Sequence, residues 1–115
     1  MKIEINIIDS KQLKKFAVNS EELFDYLLKN SKGIYLLWNN NKVVYVGKSN
    51  SIPYRLISHE LIVKKENNIT SVSVLPTISN FEMDIGEIIY IHKLKPKYNK
   101  QNKYLKEEFK SEIYI

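Results

Sequence analysis

A few residues between positions 33 and 59 have side chains suited to acid–base or phosphate chemistry. Tyr35 and Tyr45 stand ten positions apart, each inside a short run of β-forming residues, where tyrosine is also an ordinary packing residue. Lys48 follows the second run; a lysine there is usually solvated, but its charge could lower the pKa of a neighbouring tyrosine. The chain contains seventeen lysines and one arginine, Arg55. A guanidinium can hold two phosphate oxygens at once, which an ammonium cannot, so Arg55 is a candidate phosphate ligand.

The two tyrosines can form one site only if the hairpin that carries them has the right register. Strands are predicted at about 33–38 and 43–47, joined by asparagines that tolerate the left-handed backbone of tight turns. A three-residue turn, Asn39–Asn41, places Tyr35 directly opposite Tyr45, whereas a shift by one residue sends them to opposite faces. On the first register the other face is apolar enough to pack against a helix, and it consists of Ile34, Leu36, Trp38, Val44 and Val46.

Periodicity and end signals predict the remaining elements. A strand is predicted over residues 3–7, and a helix within "NSEELFDYLLKN", with Asn19 or Ser20 as its N-cap. The segment "SVSVLP" predicts a further strand that ends at Pro76. A last helix that ends before Pro96 is predicted from five residues at helical spacing, which are Phe81, Ile85, Ile88, Ile89 and His92.

A helix is also predicted between the second and third strands of the motif region. Pro53 suits a first helical turn, and the helix is expected to run to about Lys64. Arg55 and His59 are four positions apart and would project from one side of it. The order β-β-α-β-α over residues 33–99 predicts an α/β (α+β) fold, with a small, three-stranded, mostly antiparallel sheet flanked by helices.

Composition limits the classes of protein to which the chain can belong. With 115 residues, one domain is expected, with residues 1–32 as an N-terminal extension and 100–115 as a basic, then apolar, tail. The net charge of +5 favours an acidic partner such as nucleic acid. The absence of cysteine excludes disulfides, thiol catalysis and cysteine-based zinc sites. Without an apolar run long enough for a membrane span, we expect a soluble, cytoplasmic protein.

Five separated elements of this sequence resemble the motifs of the GIY-YIG nuclease family. The first motif stands as Gly33-Ile34-Tyr35, and the second as Tyr45-Val46-Gly47 with Val46 in place of isoleucine. The others are a helical arginine, a histidine one turn later, and a metal-binding glutamate followed by a proline and an asparagine; here they are Arg55, His59, Glu87, Pro96 and Asn99. The resemblance covers residues 33–99 and implies a metal-dependent endonuclease that acts on nucleic acid, with DNA as the expected substrate.

The resemblance also implies roles for individual residues. Glu87 would bind one divalent ion, and a lone carboxylate suits Mg²⁺ or Mn²⁺, which keeps most of its water ligands. Arg55 would neutralise charge on the phosphoryl oxygens, and Tyr35 would take a proton from the attacking water. Tyrosine is a weak base at neutral pH, so Lys48, Tyr45 or His59 would have to orient it or lower its pKa. Within the motif, His59 could hydrogen-bond the scissile phosphate or relay a proton at neutral pH, whereas outside the motif it would be read as a surface or capping residue.

Basic residues continue beyond the metal-binding glutamate. A track along the phosphate backbone would include Lys48 and Arg55 together with residues at and after the end of the last helix, which are Lys93, Lys95, Lys97, Asn99 and Lys100. Such lysines also occur in tails that are simply solvated. Two functions therefore stay open: a nuclease, and a nucleic-acid-binding module, or subunit of a larger nuclease assembly, that does not cut.

Overall fold

Four strands form one antiparallel sheet in the spatial order β1-β4-β2-β3. The structure, a computed structural model, describes residues 8–102, with side chains as far as Asn99. The strands are β1 (Phe16–Ala17), β2 (Gly33–Asn39), β3 (Lys42–Ser49) and β4 (Ser71–Pro76). The helices are α1 (Glu21–Lys29), α2 (Ile52–Ile57), α3 (Glu60–Val63) and α4 (Asn80–Leu94), with 3₁₀ turns at Ser10–Gln12, Lys65–Asn67 and Lys97–Asn102.

The predicted fold class is confirmed, with one more strand than expected. The extra strand, β1, is two residues long and pairs with the start of β4, so it is too short to show the period of a strand in the sequence. The strand predicted over residues 3–7 lies outside the described residues. In the described part of the chain, no helix is long and apolar enough to cross a membrane.

The two faces of β2 pack against different helices, because successive side chains of a strand point to opposite sides. On one face, Tyr35 and Leu37 pack with residues of α1 and α2, including Leu27 and Leu56. On the other face, residues of β2 and β3 pack with α4, and this layer contains Ile34, Leu36, Trp38, Val43, Val46, Met83, Tyr90 and Ile91. The sheet is therefore covered on both sides.

Helix α4 has the predicted extent but packs through a different face. Its N-cap is Ser79, whose side chain accepts a hydrogen bond from the backbone of Glu82. The buried residues are Met83, Gly86, Tyr90 and Ile91, whereas the predicted stripe is only partly buried and Phe81 is 52% exposed. Apolar residues occur around most of this helix, so periodicity alone did not identify the packed face.

The hairpin turn is one residue tighter than predicted, and a β-bulge compensates for the difference. Asn39 pairs with Lys42, so the turn consists of two residues, of which Asn40 has a left-handed backbone with φ 52°. Trp38 then pairs with Val43 and Leu37 with Tyr45, which leaves Val44 as the extra residue of the bulge. The predicted pairing of Tyr35 with Tyr45 is wrong, because Tyr35 lies opposite Gly47.

The bulge nevertheless keeps both tyrosines on the same face of the sheet. A two-residue turn without a bulge would shift the register by one residue and send Tyr35 and Tyr45 to opposite faces. The extra residue of the bulge shifts the register by one more residue, so the observed register differs from the predicted one by two residues. A shift of two leaves both tyrosines on their predicted face of the sheet. Val43, not Val44, joins the layer against α4.

The helix predicted from Pro53 to Lys64 is wrong, since the chain forms two short helices there. Helix α2 ends at Ile57, and His59 is the N-cap of α3. The His59 Nδ1 atom accepts a hydrogen bond from the backbone N–H of Leu61 at 3.2 Å. This local bond replaces a helical one, so His59 does not continue the helix that carries Arg55.

Candidate active site

The candidate site lies at one end of the sheet, where β2 begins at Gly33 and β3 ends at Ser49, and this end is the site edge. Two glycines allow close contacts there. A Cβ atom on Gly47 would overlap the hydroxyl end of the Tyr35 ring, which lies across this position. Gly33 has φ 154° and its Cα lies against the backbone of Leu75 and Pro76 in β4. At each of these two glycines, neighbouring atoms occupy the space that the Cβ atom of a larger residue would need.

Three rings form a cluster on the α2 side of this edge. The ring centroids of Tyr35 and Tyr45 lie 6.1 Å apart, and His59 meets both rings edge-on, at 5.7 Å from Tyr35 and 4.9 Å from Tyr45. Tyr35 is 1% exposed and His59 2% exposed, whereas Tyr45 is partly exposed. Tyr45 is therefore the ring of this cluster that solvent or a substrate can reach.

Burial keeps the two inner members of the cluster uncharged. Burial, followed by the neighbouring Tyr45, raises the pKa of Tyr35 well above its usual value, and the charge of Arg55 opposes this only in part. Burial and then Arg55 lower the pKa of His59 to about 4. Its raised pKa keeps Tyr35 protonated at neutral pH, and at 1% exposure its side chain is closed to solvent. The predicted role of Tyr35 as the base does not fit this geometry.

His59 supports the tyrosines and does not reach the surface. Because its Nδ1 atom accepts the bond from Leu61, the proton of the neutral ring is on Nε2. The Nε2 atom is buried and has no hydrogen-bond partner among the described residues. At 2% exposure, His59 cannot contact a phosphate in this conformation, so that predicted role is not supported.

Arg55 lies on the exposed side of α2, beside the ring cluster. The helix is held by Ile52 and Leu56, which are buried in the core, and by a hydrogen bond from the Ile52 N–H to the Ser31 carbonyl at 2.7 Å. Arg55 is exposed, and its charge acts on the pKa of both Tyr35 and His59. Because Arg55 is exposed, its guanidinium can be reached by an anion from solution.

Lys48 and Glu87 meet on the other side of the same edge, together with a residue that the sequence analysis missed. The Lys48 Nζ atom lies 2.7 Å from Asp84 Oδ1 and 3.8 Å from Glu87 Oε1. Asp84 and Glu87 are three positions apart on α4, a spacing that places both on one face of the helix and that could have identified Asp84. Lys48 faces α4, so it does not orient Tyr35.

The two halves of the site adjoin across the sheet edge. The Glu87 carboxylate is close enough to contribute to the raised pKa of Tyr35, which lies in the ring cluster. Glu87 has a side-chain exposure of 15%. Burial raises its own pKa, and Lys48 opposes that shift. The structure therefore brings Tyr35, Tyr45, Lys48, Arg55, His59 and Glu87 to one edge of the sheet.

The donor chemistry at Glu87 fits a hard divalent cation. A partly buried carboxylate is stabilised by a cation beside it, and its oxygens are the ligands that Mg²⁺ and Mn²⁺ prefer. Over the described residues there is no group of three histidine, cysteine or acidic side chains that could enclose a metal. An ion held by Glu87 would thus keep several of its own water ligands.

Asn99 has a structural position that contradicts its predicted contact with nucleic acid. It is 2% exposed, and its side-chain amide binds the backbone of Val46 twice. The Val46 N–H donates to Asn99 Oδ1 at 2.9 Å, and Asn99 Nδ2 donates to the Val46 carbonyl at 2.9 Å. Since β3 is an edge strand, Asn99 takes the place of a neighbouring strand between Tyr45 and Gly47.

The predicted basic track is only partly visible. Lys93, Lys95 and Lys97 are exposed at the end of α4 and just after it. The Lys100 side chain lies outside the described part of the chain. With a rise of about 1.5 Å per residue, Lys93 is roughly 9 Å further along the helix axis than Glu87. These lysines could extend a contact that begins at Lys48 and Arg55, but they do not form part of the cluster.

The fold is similar to that of solved endonuclease domains. The GIY-YIG N-terminal endonuclease domain of UvrC from Thermotoga maritima, bound to its catalytic divalent cation magnesium, has a TM-score of 0.56 and 23% identity, and the match covers 70% of this chain and 98% of that one. A point mutant of the same domain gives a TM-score of 0.56, 23% identity and coverage of 70% and 97%. No protein-family model matches the chain, and no curated protein matches it. The resemblance seen in the sequence is confirmed at the level of the fold.

Proposed function

We propose that this protein is an endonuclease of the GIY-YIG family that depends on a divalent metal ion and hydrolyses phosphodiester bonds of nucleic acid, with DNA as the expected substrate. The observation that carries this proposal is the meeting of two half-sites at one sheet edge. Tyr45 and Arg55 are accessible in one half, and Lys48 and Glu87 in the other. The proposal is further supported by a similar fold in a domain that is an endonuclease and is bound to magnesium.

Each accessible residue has a role that follows from its position. Arg55 binds the phosphoryl oxygens through its guanidinium and neutralises the charge that develops on them. Tyr45, the partly exposed ring of the cluster, accepts the proton of the attacking water. Glu87 holds the divalent ion, which when bound polarises the phosphate and stabilises the leaving oxygen. Tyr35 and His59 hold Tyr45 in place through ring contacts.

The experiment is a cleavage assay with branched, single-stranded and duplex DNA, in Mg²⁺, in Mn²⁺ and in EDTA. We expect cutting only with a divalent ion, and we expect Glu87→Gln to abolish cutting while DNA binding is kept. Glu82→Gln is the matched control, because it removes one charge from the same helix and because, among the described residues, the Glu82 side chain hydrogen-bonds only the backbone N–H of Ile78. Cutting in EDTA, or by Glu87→Gln, would contradict the proposal. Metal-independent binding without any cutting would favour the non-cleaving alternative.

A further inference from the structure

Lys48 is shared unequally between two carboxylates of α4. Its Nζ atom donates to Asp84 at 2.7 Å, while the nearest oxygen of Glu87 is 3.8 Å away. The Asp84 side chain is 51% exposed and that of Glu87 15% exposed, so the weaker contact is with the more buried acid. Asp84 has no part in the proposed chemistry, and its only described side-chain partner is Lys48.

The ammonium of Lys48 and a divalent ion would compete for Glu87. Both are cations that are attracted by the same carboxylate, and they repel each other at short distance. If Lys48 paired closely with Glu87, an incoming ion would first have to break that pair. A second carboxylate that binds Lys48 more tightly removes this obstacle and still keeps the lysine at the site.

The frame around Asp84 is suited to such a role. Helix α4 is held against the sheet by the buried residues Met83 and Gly86, which directly precede Asp84 and Glu87, respectively, in the sequence. Lys48 extends from β3, whose backbone is held two residues earlier by the bonds between Val46 and Asn99. Both ends of the ion pair are therefore anchored, and the direction in which Asp84 draws Lys48 is set by the fold.

We propose that Asp84 is a positioning residue that keeps Lys48 from pairing closely with Glu87, so that a divalent cation can bind the Glu87 carboxylate. The inference rests on the proposed function in that Glu87 is taken as the metal ligand. It adds a residue that acts through Lys48 and not by contact with the metal. Without the Asp84 charge, Lys48 has Glu87 as its remaining carboxylate partner and becomes a competitor of the ion.

The test is a Mn²⁺ titration of the full chain without nucleic acid, followed by the electron paramagnetic resonance signal of the free ion. Asp84→Asn should weaken Mn²⁺ binding about fivefold, the effect expected for one partly exposed ion pair. Asp84→Glu keeps the carboxylate and should bind as the parent does. Glu82→Gln, which removes a charge two positions away, serves as the control for the general field of the helix.

A double-mutant cycle separates an effect through Lys48 from direct metal binding. Lys48→Met removes the competitor, so adding Asp84→Asn to Lys48→Met should change Mn²⁺ binding no more than Glu82→Gln does. An equal loss from Asp84→Asn in both backgrounds would overturn the inference, since Asp84 would then act on the ion directly. A loss no larger than that of Glu82→Gln in the parent would also overturn it. A parent that does not bind Mn²⁺ would instead refute the metal site of the proposed function, and the inference with it.

Discussion

Replacing Asn99 with alanine should destabilise the protein without lowering its affinity for nucleic acid. The side-chain amide of Asn99 satisfies both backbone groups of Val46 on the open edge of β3. Alanine removes both hydrogen bonds and leaves a donor and an acceptor of a buried residue without partners. No charge is lost, and a residue that is 2% exposed has no surface to offer a ligand.

The size of the effect follows from these two bonds. A hydrogen bond contributes about 1 kcal/mol net, and a buried polar group left unpaired costs about 1–3 kcal/mol, so the loss should be about 3 kcal/mol. At about 2.1 cal/mol/K of unfolding entropy per residue, that loss lowers the melting temperature by about 12 °C in this chain of 115 residues. Cleavage, measured well below the melting temperature, should fall as well, because Val46 lies between Tyr45 and Gly47.

The assay is a thermal melt of the parent and Asn99→Ala, followed by a DNA-binding titration at a temperature where both are folded. Lys97→Ala is the matched control, since it is two positions away, exposed and charged. We expect the control to melt within about 0.5 kcal/mol of the parent and to bind DNA more weakly. If Asn99→Ala melts like the parent, or loses DNA affinity while its stability is unchanged, the structural assignment of Asn99 is wrong.

Four further predictions test the site. Arg55→Lys should slow single-turnover cleavage by roughly 10²–10³ because the guanidinium fork is lost, with little change in melting; a variant that cuts within about threefold of the parent would contradict this. The free energy of unfolding should fall as the pH drops from 6.5 to about 4, since burial lowers the pKa of His59 to about 4 and only the unfolded state takes up the proton in that window. His59→Phe should reduce this slope in acid and urea titrations, and an unchanged slope would show that His59 is not the group responsible. Gly47→Ala should cost about 1–3 kcal/mol in a thermal melt, because its Cβ displaces the Tyr35 ring; a variant as stable as the parent would refute that contact. DNA affinity should fall with salt with a log–log slope of roughly −3 to −4, as expected if about four phosphates are contacted, and a flat response would argue against nucleic acid as the partner.

Elements whose signals lie within a few residues of one another were predictable from the sequence. Helix α1 forms where it was predicted, and its N-cap is Ser20, one of the two predicted candidates. The extents of β2, β3, β4 and α4 also agree with the predicted ones to within about two residues. Local propensity and end signals decide these features, so no knowledge of the rest of the fold was needed.

The hairpin register and the break after α2 depended on tertiary packing. Two-residue and three-residue turns both suit the asparagines, and neither turn by itself predicts the bulge at Val44. With the bulge, Val43 packs on the α4 side while Tyr45 meets His59 on the other. His59 can leave the helix because the core accepts its ring edge-on against both tyrosines. The hairpin register and the helix break depend on packing against both faces of the sheet. The order of residues along the sequence does not contain this information.

The sequence by itself determined which residues could do the chemistry, and the tertiary structure decided what each one touches. Tyr45, Arg55 and Glu87 could be named as candidates because phosphate and metal chemistry require particular functional groups at the motif positions. Asn99 instead binds a backbone 53 positions away, and Asp84 binds a lysine 36 positions away. Contacts over such separations depend on where the sheet edge and the helix meet in space. The Asn99 amide therefore binds the β3 backbone, and the Asp84 carboxylate binds Lys48, only because the fold places these groups next to each other.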